Sequence, residues 1–462
     1  MSEHPPARGG AAAAAPPPAA LAHGLPLARL LDLAADAVQG VRSGRSLAAL
    51  VADCPADARP GVLALASDAL RRLGSALEAR ARLAPKTPPP NVDALLLVAL
   101  ALLWPEPAPA YPDHTLVDQA VVAARRRTPV ATGFVNAVLR RFVRERERIV
   151  AEVGHTPLGA YNHPPWWIER VRHDWPQLWQ PLLAAANERP PMVLRVNARR
   201  GSGAAYVQRL AAQGRRAVLL DEPGLAGQAV WLGEPCAVQQ LPGFAEGEVS
   251  VQDSAAQRAA GLLLGAGLPA GARVLDACAA PGGKTAQLLE RADLDLVALD
   301  VDPQRLALVR QTLNRLGLAA KLVAADARDV GRWWDRRPFD AILLDAPCTA
   351  SGVGRRHPDV RWLRRPADIA TLAAQQTELL ESLWPLLRPG GRLLYATCSI
   401  FRAEGQEQID AFLQRHAAEG VAADPGSPGH LLPLPDNRAT GGSASHRAVV
   451  GDGFYYGLLH KP

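Results

Sequence analysis

Cysteine pairs are missing from this sequence. Its five cysteines, Cys54, Cys236, Cys278, Cys348 and Cys398, are odd in number and scattered, with no C-x-x-C among them. Such a set excludes a disulfide framework and the usual zinc spacings, so a reducing compartment and no bound metal are expected. Long apolar runs are equally scarce. None approaches the ~18 residues needed to cross a bilayer, and the longest, Ala94 to Trp104, reads as a buried helix. The N-terminus shows no charged region followed by an apolar core and a cleavage site, so a cytoplasmic protein is expected. There is no large excess of one charge either: 51 Lys and Arg face 45 Asp and Glu, a net of +6. The basic residues are clustered, however, and clustering counts for more than net charge toward a polyanion.

The chain has 462 residues, 48% hydrophobic and 21% charged, which suits a soluble protein of two or three domains. Residues 1–22 are nearly all Ala, Pro and Gly, too poor in large side chains to offset their ordering entropy, and are expected to form a disordered tail. Across 23–150 the apolar residues recur at helical spacing, as at Leu27, Leu30, Leu31, Ala34 and Val38, with proline-rich breaks at 85–90 and 105–112. This predicts an all-helical domain. Residues 151–250 read as a small mixed α/β connecting domain, with a helix from His163-Pro164-Pro165-Trp166-Trp167 and a strand before Asn197. From 251 to 462 strands and helices alternate regularly, the pattern of a doubly wound sheet.

Two runs in that last domain end in cysteine: Ala341-Ile342-Leu343-Leu344-Asp345-Ala346-Pro347-Cys348 and Arg392-Leu393-Leu394-Tyr395-Ala396-Thr397-Cys398. Both read as buried parallel strands, and ligands bind outside the carboxyl ends of such strands. The loop Cys278-Ala279-Ala280-Pro281-Gly282-Gly283-Lys284-Thr285 ends like a phosphate loop, but Cys278 stands where that motif needs Gly. A dinucleotide fingerprint is absent as well. What remains is a small-residue turn that lets backbone approach a ligand. Asp300, about 20 residues on, is placed for ribose hydroxyls, and Asp326 for an adenine amino group. A nucleoside without phosphates fits this set, which points to S-adenosylmethionine.

The cysteines suit methylation of cytosine at C5. That carbon becomes nucleophilic when a thiolate adds to C6 while N3 is protonated or hydrogen-bonded, which calls for a Cys, a carboxyl group and help with release. The Asp345–Gly352 and Tyr395–Ser399 motifs, with the 278–284 loop, resemble the RNA 5-methylcytosine methyltransferases of the Nol/Nop/Sun class. The segment Thr132-Gly133-Phe134-Val135-Asn136-Ala137-Val138-Leu139-Arg140-Arg141-Phe142 resembles the NusB-type helical RNA-binding domain found at the front of a bacterial rRNA methyltransferase family. The likeness runs from about residue 25 to the end.

The resemblance implies a Rossmann-like, S-adenosylmethionine-dependent catalytic domain acting on one cytosine of small-subunit rRNA. By it Cys398 is the nucleophile, Cys348 assists breakdown of the adduct, and Asp345 contacts the cytosine. It assigns Cys278, Ala279, Ala280, Pro281, Gly282, Gly283, Lys284, Asp300, Asp326 and Asp345 to the cofactor. One departure is Ala325-Asp326-Ala327, where family members often carry glycines around the aspartate. Arg140 and Arg141 in the front domain, and Arg355, Arg356 and Arg361 between the cysteines, are expected to grip RNA phosphates. His357 is read as structural or RNA-contacting rather than as a base. A monomer is expected. A tRNA substrate, or a non-catalytic RNA-binding assembly factor, are the alternatives; a DNA cytosine methyltransferase would lack the Thr-Cys partner.

Overall fold

The structure, a computed structural model, describes residues 25–107, 109–265, 267–434 and 451–462. The expected tail, 1–22, lies outside the described residues. The chain divides into two compact units, 1–164 and 165–462.

The first unit comprises α1 (Leu27–Arg42), α2 (Leu47–Ala52), α3 (Arg59–Arg71), α4 (Leu73–Leu83), α5 (Pro90–Leu102), α6 (Asp113–Arg127), α7 (Thr132–Gly154) and α8 (Pro157–Tyr161), with no strand among its described residues. Leu30, Leu31, Ala34 and Val38 form the buried stripe of α1, as their spacing predicts. Helix α5 opens on Pro90, whose fixed φ suits the first helical position. Every residue from Val92 to Ala101 is buried, so α5 is the central helix. Its one carboxylate, Asp93, is held by Arg42 and Arg80, each at 2.9 Å. Along α7, Val135, Val138, Leu139 and Phe142 face inward, and Phe142 stacks on Trp104 at 5.8 Å.

The second unit opens with α9 (Pro165–Asp174) and α10 (Trp179–Ala185), then β1 (Met192–Val196), α11 (Gly203–Ala212), β2 (Ala217–Leu219), β3 (Ala229–Leu232) and β4 (Val249–Val251). These strands form an antiparallel sheet in the order β2-β3-β1-β4. There follow α12 (Ser254–Leu264), β5 (Ala272–Ala277), α13 (Gly283–Arg291), β6 (Leu294–Asp300), α14 (Pro303–Leu316), β7 (Lys321–Ala324), α15 (Val330–Trp333) and β8 (Phe339–Asp345). The chain continues through α16 (Val360–Leu363), α17 (Pro366–Leu383), β9 (Leu387–Thr397), α18 (Gln406–Arg415), β10 (Ala422–Ala423), β11 (Gly429–Leu431) and β12 (Phe454–His460).

The second sheet runs β10-β12-β9-β8-β5-β6-β7, with β11 also on β12. Strands β5 to β9 are parallel and β12 is antiparallel to β9. This is a Rossmann-like sheet. Alternate strand residues feed two cores, because successive side chains point to opposite faces. Val274, Leu296 and Leu343 pack with Leu263, Leu288 and Val309 on one face. Leu275, Leu299 and Ile342 pack with Leu379, Leu383 and Phe412 on the other. The chain steps outward from β5 to β7, then returns to β8 on the opposite side of β5, so the order reverses at β5. A crevice opens at the carboxyl ends of strands at such a point.

Helix α17 stops at Leu383, because Pro385 has no N–H to continue the helical ladder and the chain tightens into a 3-10 turn over Trp384–Leu386. Strand β8 ends at Asp345, which leaves Cys348 on the loop beyond it, whereas Cys398 directly follows β9. The two sheets are joined through Arg195 of β1. Its guanidinium makes a bidentate pair with Glu290 of α13 at 2.8 and 2.9 Å and donates to the carbonyl of Gly283 at 2.8 Å. Both side chains are buried, so the small sheet braces the first turn of α13.

Candidate active site

The loop after β5 is built for close approach. Cys278 adopts a left-handed φ of 61° and Gly282 one of 94°. A Cβ at Gly282 would lie 3.0 Å from the Cα of Val309, so position 282 is restricted to glycine by both backbone and space. The loop is tied to β6: Ala279 N–H donates to the carbonyl of Leu299 and Ala280 N–H to the Asp300 carboxylate, both at 3.0 Å. Beneath it Asp276 is fully buried and accepts from the Thr285 hydroxyl at 2.5 Å. Burial pushes its carboxyl up to about 7, against the pull of that hydrogen bond. Burial and then the Asp345, Asp300 and Asp276 charges push the Cys278 thiol well up.

Asp300 closes β6 as expected. Its other oxygen accepts from Asp302 N–H at 3.1 Å, and it is Asp302, not Asp300, that caps α14. The next side chain, Val301, is 66% exposed. An apolar side chain displayed at this edge offers a platform for an aromatic ring, and sequence periodicity alone passes it over. Asp326 is part-exposed. Arg328 grips its carboxylate at 2.7 Å and holds it below the usual aspartate range. The residues at the ends of β5, β6 and β7 therefore form one ledge. Small residues, an acceptor carboxylate and an exposed apolar face suit an adenosyl group and offer nothing to a pyrophosphate.

The second cluster faces the ends of β8 and β9. Cys348 is buried, Cys398 is partly so, and their sulfurs are 3.4 Å apart. The hydrogen bond that Cys348 donates to Cys398, then burial, raises the Cys348 thiol well above its ordinary range, and the Cys398 and Glu404 charges add to this. Asp345 closes β8, and Lys284 of the cofactor loop donates to it at 2.7 Å. Burial pulls the Lys284 ammonium down, but the Asp345 charge and hydrogen bond outweigh it and leave it raised. Lys284 thus points at Asp345, and its ammonium nitrogen lies over the Phe454 ring, 5.3 Å from the centroid. The three residues singled out for chemistry, Cys348, Cys398 and Asp345, lie at the carboxyl ends of the adjacent strands β8 and β9.

The loop between the cysteines requires a correction. Arg355, Arg356 and Arg361 do not form an outward wall for phosphate, because their guanidinium groups are taken by protein acceptors. Arg355 donates to Asp452 at 2.6 Å and is 5% exposed. Arg356 pairs with Asp452 and, at 2.6 Å, with Asp253. Arg361 is fully buried and donates to the Asn187 side chain and the Ala186 carbonyl, each at 2.5 Å. Two buried aspartates need such partners, since an uncompensated interior charge is costly. Arg364 is turned the same way and donates to the carbonyls of Cys348 and Thr349 at 3.0 and 3.2 Å. His357 is exposed. In the first unit Arg140 and Arg141 are exposed, bonded to Asn136 and Glu145, whereas Arg127 is drawn inward by Asp32 and Asp36.

This geometry has relatives. A family model described as 16S rRNA methyltransferase RsmB/F matches residues 268–456, and a second, the RsmF/B-like ferredoxin-like domain, matches 163–239. Ribosomal RNA small subunit methyltransferase B of Pseudomonas syringae pv. tomato is 44% identical over 377 residues, 80% of this chain and 81% of that one. The protein of the same name from Pseudomonas putida is 48% identical over 335 residues, 70% and 73% of the two chains. The crystal structure of PH0851 superposes with a TM-score of 0.73 at 25% identity, over 95% of this chain and 99% of that one. At these identities and coverages the chain belongs to the 16S rRNA methyltransferase RsmB/F family, as an rRNA methyltransferase whose cofactor is S-adenosylmethionine.

Proposed function

We propose that the enzyme methylates C5 of one cytosine in small-subunit rRNA through a covalent adduct between Cys398 and C6. The observation that carries this is the pair of thiols, 3.4 Å apart, at neighbouring strand ends beside Asp345. When bound on the ledge formed by the 278–284 loop, Asp300, Val301 and Asp326, the cofactor supplies an electrophilic methyl group.

The residues divide the work. Cys398 is the thiol open to an incoming base, since it is partly exposed whereas Cys348 is buried. Its sulfur bonds to C6, and the displaced electron pair makes C5 an enamine carbon while the Asp345–Lys284 pair hydrogen-bonds the N3 side of the ring. Once Cys398 is a neutral thioether, its charge no longer raises the Cys348 thiol, although burial and Glu404 still do. Cys348 can then release its proton to solvent and accept the C5 proton. The Sγ–C6 bond breaks, Cys398 leaves as a thiolate, and both cysteines return to their starting states.

Exposed arginines of the first unit, including Arg125, Arg126, Arg140 and Arg141, supply sequence-independent affinity through phosphate contacts. The test is transfer of labelled methyl from S-adenosylmethionine to unmodified small-subunit rRNA, with tRNA in parallel and Cys398→Ala as control. Label in rRNA cytosine that vanishes in the variant is the expected result. Label confined to tRNA would move the substrate, and undiminished label in the variant would overturn the adduct.

A further inference from the structure

Glu404 is fully buried, in a short turn between β9 and α18, yet carries a carboxylate. Four donors converge on it. One oxygen accepts the Thr349 N–H at 2.8 Å and the Gln376 amide at 3.4 Å; the other accepts the Thr349 hydroxyl at 2.5 Å and the Ser399 hydroxyl at 2.6 Å. Thr349 follows Cys348 and Ser399 follows Cys398. The same turn is fixed from below, where its backbone carbonyl accepts Tyr395 OH at 2.9 Å and the Thr397 hydroxyl at 3.0 Å. Gln376 also donates to the carbonyl of Pro347, the residue before Cys348, at 2.8 Å.

A group that only filled space here would be apolar, since burying an ion gains little over well-packed hydrocarbon. A carboxylate is the one side chain that accepts from all four donors and donates to none. Burial raises the Glu404 carboxyl, and the hydrogen bonds from Ser399 and Thr349 oppose that rise. Nothing in the cofactor ledge touches it.

We propose that Glu404 is a positioning residue: by holding Thr349 and Ser399 at one point, its carboxylate sets the approach of the Cys348 and Cys398 thiols and so couples addition to release. The coupling rests on the thiol chemistry proposed above; the approach of the two sulfurs does not.

The test is Glu404→Gln, whose amide turns N–H groups toward existing donors. The first readout uses the enzyme without RNA or cofactor. Diamide oxidises two neighbouring thiols to a disulfide and is itself reduced to the hydrazine, so the rate of the Cys348–Cys398 linkage, read by peptide mapping, reports their approach. The variant should form it at least about tenfold more slowly, because a misplacement of an ångström costs that much or more. The second readout is the RNA adduct. With cofactor present the variant should accumulate denaturant-resistant protein–RNA complex while the KM for S-adenosylmethionine stays unchanged; a merely structural role would lower stability without trapping RNA.

A folded variant with the wild-type diamide rate overturns the proposal. A slower rate with no adduct in any variant, Cys348→Ala included, supports the role of Glu404 and sinks the covalent reading instead. If Glu404→Gln does not fold, Thr349→Val removes one donor and is judged by the same diamide criterion.

Discussion

The sulfur of Cys348 lies 3.4 Å from that of Cys398, although 50 residues of chain separate them. Strands β8 and β9 run parallel side by side, Asp345 opposite Ala396, so loops leaving their carboxyl ends emerge together. If the assignment of roles is right, the two cysteines separate cleanly. Cys398→Ala should lose both methyl transfer and RNA trapping. Cys348→Ala should form the adduct and fail to release it, giving a slow-migrating complex on a denaturing gel. Swapped phenotypes would reverse the roles.

Asp345→Asn keeps the shape at the end of β8 and removes the charge that Lys284 meets at 2.7 Å. Turnover should fall by about 10²–10⁴-fold, the range for losing a positioned proton-handling group. Steady-state kinetics on rRNA checks this, and unchanged kcat would remove Asp345 from the chemistry.

Asp276 makes stability depend on pH. Its carboxyl is raised from the ordinary 3.8 to about 7 in the folded protein, so the native state binds the proton more tightly than the unfolded chain. The stabilisation is fully present below 3.8 and is lost as pH rises through about 7. Asp276→Asn should remove this component, worth up to about 1.4 kcal/mol per pH unit within that window. Urea melts of both proteins at several pH values would show it; identical slopes would refute it.

Arg355 and Arg125 should fail in different ways. Arg355→Ala removes one of the two arginines that hold the buried Asp452 and should cost up to about 3–5 kcal/mol of stability, with the salt dependence of RNA binding unchanged in whatever fraction stays folded. Arg125→Ala, on an exposed helix face, should leave stability within about 0.5 kcal/mol and lower the salt slope by about one phosphate contact. The reverse pattern would restore the RNA wall that the buried ion pairs argue against.

Gly352→Ala tests how the C-terminal strand bears on the site. A Cβ there would stand 2.1 Å from the Gly453 carbonyl oxygen, while Gly352 N–H donates to the Cys398 carbonyl at 3.0 Å and the Gly352 carbonyl accepts from Gly453 N–H at 2.8 Å. The backbone must shift, so stability should fall by about 1–3 kcal/mol or more and activity with it. A fully active, equally stable variant would show that this contact is not needed.

The sequence by itself determined the class of fold and singled out the residues proposed for the chemistry. Alternation of short apolar runs with helical periods marked 251–462 as a doubly wound sheet, because central strands such as β5 and β8 are buried on both faces. The motifs around Cys348, Cys398 and the 278–284 loop carried the chemistry, since few residue types can perform it. Orientation was another matter. That Arg355 and Arg356 turn inward depends on Asp253 and Asp452, which are about 100 residues away in opposite directions, and Arg361 is drawn in by Ala186 and Asn187. Nothing in the spacing around Glu404 announces that Thr349 donates to it from 55 residues away. A charged side chain reads the same in sequence whether it meets water or a buried partner. Only the tertiary structure decides which, because it alone brings the partner within hydrogen-bonding distance.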